Sequence, residues 1–82
     1  MPISNEVYAL KEKRAGIVID TTLWATKLDA QLILNKRVRI RTNTTRKNPA
    51  VICEESIDCY RLSNPDGSET KLWIEKQCVF TV

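Results

Sequence analysis

Asn64-Pro65-Asp66-Gly67 is the most restrictive stretch of this chain. Proline presets φ for the second position of a type I β-turn, asparagine favours the first, and glycine the fourth. Residues 57–62 before it and 70–74 after it are rich in Ile, Tyr, Trp and Thr, which suit a pleated surface. The turn therefore predicts an antiparallel hairpin, and any fold for the chain has to contain it.

Other segments extend this β character. Ile17-Val18-Ile19 follows Gly16 and reads as a strand, as does Val51 to Cys53, with Glu54-Glu55-Ser56 as a bend or bulge before Ile57. Val79 to Val82 reads as a final edge strand. Residues 4–15 fit a helical stripe or a strand about equally. Asp20-Thr21-Thr22 offers N-caps for a helix over residues 22–34, with Trp24, Leu28 and Leu32 on its buried stripe and Lys27 and Gln31 outside. Arg37 to Thr42 alternates, with Val38, Ile40 and Thr42 on one face and Arg37, Arg39 and Arg41 on the other. Period two of this kind predicts a half-buried strand, and Asn43 to Pro49 a polar loop.

The expected fold is mostly β within the α+β class. It is a small curled antiparallel sheet, or an SH3- or OB-like barrel, of roughly four to six short strands with one helix near residues 22–34. Eighty-two residues make a single domain over 1–82.

Composition removes several kinds of chemistry. Without histidine, the commonest general base, the imidazole metal ligand and the usual Ser-His and Cys-His nucleophile systems are absent. Two glycines cannot write a phosphate-binding or dinucleotide loop. Cys53, Cys59 and Cys78 do not have zinc-site spacing and are expected as buried, reduced thiols in a cytoplasmic protein. Glu54, Glu55 and Asp58 are the densest carboxylates, and they read as a solvated acidic patch or as partners for the arginines. No catalytic residue, metal or cofactor is expected. No apolar run approaches membrane-spanning length, and Met1 to Glu6 is unlike a secretory leader.

Charge placement is the main functional clue. The net charge is only +3, but residues 36–47 carry six cations and no carboxylate: Lys36, Arg37, Arg39, Arg41, Arg46 and Lys47. Residues 48–82 carry six carboxylates against three cations. On a strand, Arg37, Arg39 and Arg41 would stand about 6.6 Å apart and repel one another unless an anion or an acidic strand lay alongside. Arg37, Arg39, Arg41, Arg46 and Lys47 are therefore the expected contacts to an acidic protein surface or to nucleic acid. Trp24, Tyr60 and Trp73 are candidate stacking platforms, although core positions suit them better. The expectation is a small non-enzymatic protein-interaction factor, an inhibitor or adaptor of the kind phages and mobile elements encode, able to self-associate. The alternative is an RNA- or single-stranded-DNA-binding module. Internal neutralisation of the guanidinium groups would remove the case for a polyanionic ligand.

Overall fold

The computed structural model describes residues 3–45 and 47–81, and the side chains of 6–45 and 47–78. The elements are β1 (Ile3–Arg14), β2 (Ile17–Trp24), α1 (Lys27–Thr42), β3 (Val51–Glu55), β4 (Cys59–Ser63) and β5 (Glu69–Thr81). The strands form one sheet in the order β2-β1-β5-β4-β3, with every neighbouring pair antiparallel. This is the expected mostly-β architecture: a curled sheet with one helix.

The Asn64 to Gly67 turn joins β4 to β5, closed by Gly67 N–H donating to Asn64 C=O at 3.0 Å. Gly67 sits at φ +89°, the left-handed position that follows a type I turn in a hairpin. Residues 4–15 resolve as strand. β1 turns into β2 through Ala15-Gly16, with both residues at positive φ (50° and 86°), a type I′ connection. Glu54-Glu55-Ser56 straddles a hairpin rather than a bulge between strand segments. Glu54 and Glu55 end β3, Ser56–Asp58 turns, and β4 begins only at Cys59.

Two strand predictions are corrected. Residues 79–81 continue β5, which lies at the sheet centre, and pair with Asn5 to Ile3 of β1; they are not a separate edge strand. Val82 lies outside the described residues. More consequentially, Arg37 to Thr42 is the second half of α1, not a strand.

The helix also starts later than residue 22, because Trp24 belongs to β2. Thr26 is the N-cap: its Oγ1 accepts from the Asp29 N–H at 3.2 Å. The buried stripe is Ala30, Leu34 and Val38, four residues apart, while Leu28 and Leu32 are exposed. Two apolar stripes interleave on this segment. Only the Ala30-Leu34-Val38 stripe continues through residues 37–42, so it wins the core.

One face of the sheet packs against α1. Leu10, Leu62 and Leu72 meet Leu34, Val38 and Ala50, with Trp24, Ile33, Tyr60 and Ile74 at the margin. Beyond this block the ladder of Ile3–Val7 with Gln77–Thr81 has no flanking strand: β2 pairing begins at Tyr8 and β4 pairing ends at Trp73. The resulting arm lengthens the molecule to 53 × 23 × 18 Å.

Candidate interaction surface

Placing residues 37–41 on a helix breaks up the expected row of arginines. Arg37 and Arg41, one turn apart, face β2 and β1. Arg37 Nη1 lies 2.8 Å from Asp20 Oδ2, and Arg41 Nη2 lies 2.6 Å from Glu12 Oε2. Glu12 is only 2% exposed, and its Oε2 has no aligned hydrogen bond, so Arg41 answers it as a charge in contact. The expected partners Glu54 and Glu55 lie elsewhere, as does Glu75. Glu54 pairs with Arg61, Glu75 with Lys11, and Glu55 accepts from the Tyr60 hydroxyl. Arg39 and Lys47 are exposed without an ion pair among the described residues. Arg46 lies outside those residues.

The aromatic candidates separate by face. Trp24 and Tyr60 are half-buried against the core, with Trp24 Nε1 donating to Thr22 Oγ1 at 2.9 Å. Burial, reinforced by Glu55, raises the Tyr60 phenol above its usual pKa. Trp73 faces away from α1. Its Nε1 donates to Glu75 Oε1 at 2.8 Å, and Lys71 Nζ stands 5.2 Å above the ring centre. The Lys11 ammonium and this indole N–H hold the Glu75 carboxyl below its ordinary value.

Asp58 does not join Glu54 and Glu55. Its carboxylate accepts from Gln31 Nε2 at 2.9 Å and pairs with Lys27 Nζ at 3.0 Å, tying the start of α1 to the β3–β4 turn. The expected burial of the thiols is also overturned: Cys53 and Cys78 are exposed and Cys59 is half-buried. Cys53 lies on an outer strand and Cys78 on the arm, where no second layer covers them. No group of three potential metal ligands occurs among the described residues.

The largest departure from ordinary surface chemistry is at β2. It pairs only with β1, so one side of its backbone is open. Ile17, Val18, Ile19 and Leu23 are 68%, 51%, 51% and 62% exposed. A register shift opposite Glu12/Lys13 turns Ile19 towards α1. There Ile19 and Ile40 flank Asp20 and Arg37 over a cleft of about 400 Å³ floored by Glu12 and Arg41. The opposite edge, β3, is shorter and ends in Glu54-Glu55, charges that discourage edge pairing. The only charge on β2 is Asp20, already matched by Arg37.

No protein-family model, curated protein or solved structure matches this chain. The surface has to be read from its own chemistry.

Ile17 to Ile19 and Leu23 were not singled out in the sequence as an interaction site. The available signal was three consecutive β-branched residues with no polar alternation. That pattern implies side chains covered on both faces, and one chain covers neither fully.

Proposed function

We propose that this chain is a non-enzymatic protein-interaction factor, of inhibitor or adaptor type, whose working surface is the outer edge of β2 with the neighbouring flank of α1. The observation that carries the reading is the eight-residue edge strand bearing four exposed aliphatic side chains and no uncompensated charge. Open strand edges recruit extended backbone: main-chain hydrogen bonds supply affinity, and alternate side chains supply selectivity. Leaving such an edge bare is a liability that proteins usually blunt, as β3 does with its two glutamates.

The test compares wild type with an Ile19→Lys/Leu23→Lys variant as bait in nuclease-treated lysate. Both positions are solvent-facing, so the variant keeps the wild-type circular dichroism spectrum. Proteins retained by wild type and lost by the variant support the reading, and identical retention by both removes it.

Nucleic-acid binding is the second reading, and it rests on Trp73. This half-buried indole lies on the uncovered sheet face with Lys71 above it, and Lys11 and Lys13 are on the adjacent strand. The arginine cluster lends it less support, since Arg37 and Arg41 are engaged internally. If this reading holds, oligonucleotide affinity falls with salt at a logarithmic slope of about −0.7 per phosphate contacted, and Trp73→Ala weakens binding. No titration at low salt would exclude it.

A further inference from the structure

We infer that the sheet face opposite α1 seats one phosphate of a single-stranded nucleic acid between Lys13 and Lys71, with the adjoining base stacked on Trp73. This rests on the nucleic-acid reading above and locates its phosphate contact; the β2 edge is a separate surface.

The first argument is a row of like charges. Lys71 of β5 is the direct partner of both Lys13 on β1 and Arg61 on β4, so three cations stand abreast on one rung. Their chain neighbours Glu12, Leu72 and Leu62 are buried on the α1 side, so the three side chains leave the sheet on the other face. At a strand spacing of about 4.8 Å such a row is repulsive. Arg61 is answered within the molecule, by Glu69 at 2.9 Å and Glu54 at 3.5 Å. Lys13 and Lys71 are exposed and have no ion pair among the described residues. Lys11, on the next rung, is held by Glu75 at 2.8 Å and is not a contact.

The second argument is shape. Lys13 and Lys71 border a cleft of about 210 Å³ that is closed by the Ala15-Gly16 turn and Glu69. The Glu69 carboxylate is already engaged by Arg61, so the uncompensated charge of the cleft is positive. An anion placed there relieves the repulsion across the rung.

Trp73 supplies the third argument and decides which anion. It follows Lys71 on the same face, roughly 6.8 Å along β5. Its indole is fixed by the 2.8 Å hydrogen bond from Nε1 to Glu75. The Lys71 ammonium rests 5.2 Å above the ring centre. A cation on an exposed ring is weakly held, and the flexible lysine stem lets the ammonium exchange the ring for a phosphate as a base takes its place. A duplex keeps its base faces within the stack, and an acidic peptide has none to offer. An unpaired base with its phosphate uses ring and lysines together.

The experiment is fluorescence anisotropy of a labelled oligothymidylate across salt concentration. It compares wild type with Lys13→Gln/Lys71→Gln, with Trp73→Leu, and with Arg39→Gln/Lys47→Gln, which removes the same charge from α1 and the loop after it. The Lys13/Lys71 variant binds more weakly and its logarithmic salt slope shrinks by about 0.7, one phosphate contact. It unfolds at a urea midpoint no lower than wild type, since the opposed charges are gone. Trp73→Leu binds about tenfold more weakly with the slope unchanged. The Arg39/Lys47 control stays close to wild type. An unchanged slope in the Lys13/Lys71 variant, or an equal loss in the control, overturns the phosphate seat and leaves the nucleic-acid reading standing. No binding at low salt removes both. Polyglutamate or phosphatidylserine vesicles binding as tightly as the oligonucleotide overturns a single strand as the occupant.

Discussion

Replacing Arg41 by alanine removes the guanidinium that touches the Glu12 carboxylate, which is 2% exposed. A buried charge stripped of its partner typically costs about 3–5 kcal/mol. The total for a chain of this size is roughly 4–12 kcal/mol, so Arg41→Ala brings urea unfolding close to the start of the titration. Exchanging both partners for leucine (Glu12→Leu with Arg41→Leu) leaves no orphaned charge and restores most of the loss. A four-member double-mutant cycle measures the coupling. Ala15 makes an opposite prediction: at φ 50° it occupies a region that disfavours a side chain other than Asn or Asp. Ala15→Asn stabilises by about 0.5–1 kcal/mol and raises the melting midpoint by roughly 2–8 °C. Neither effect depends on what β2 binds.

At the scale of elements, α1 depends on Asp58 for its attachment to the β3–β4 turn. The Gln31 hydrogen bond and the Lys27 ammonium lower the Asp58 pKa from its usual 3.8. Because the folded state holds the carboxylate ionised, the attachment is at full strength above the unfolded value. It is lost as pH falls through the lower folded value. Acid titration of wild type therefore shows a loss of stability below about pH 4 that Asp58→Asn lacks, measured as the urea midpoint against pH. The same helix marks where the sequence was hard to read. The 64–67 turn and the Ile17 to Ile19 strand were legible because local chemistry alone decides them. The frame of α1 was not, since Trp24-Leu28-Leu32 and Ala30-Leu34-Val38 are both valid helical stripes. Residues 37–42 also alternate well enough to imitate a strand. The deciding pairs, Arg37 with Asp20 and Arg41 with Glu12, connect residues too far apart for periodicity to register. Thr26-x-x-Asp29 was the overlooked local cue, a capping arrangement that sets the true start.

Over the whole molecule the radius of gyration, 14.6 Å, exceeds the roughly 12 Å of a rounded domain this long, because the β1–β5 arm runs past its neighbours. A two-stranded ribbon is marginal in water, whereas the five-stranded block is backed by α1. Amide exchange along β5 therefore steps sharply, with Leu72 and Ile74 slow and Gln77 and Cys78 fast, as measured by hydrogen–deuterium exchange. What the sequence conveyed at this scale was the class of fold. Strand order and the exposed edge depend on which runs meet, and no local pattern states that. The arm has one further consequence. Ile3 stands opposite Thr81, so the polypeptide almost meets itself at the ribbon's tip, across a cross-strand gap of about 5 Å. A disulfide engineered across the Val7–Gln77 rung would staple the two strands of that ribbon, and the amides at positions 77 and 78 would then exchange as slowly as those of the block beneath α1.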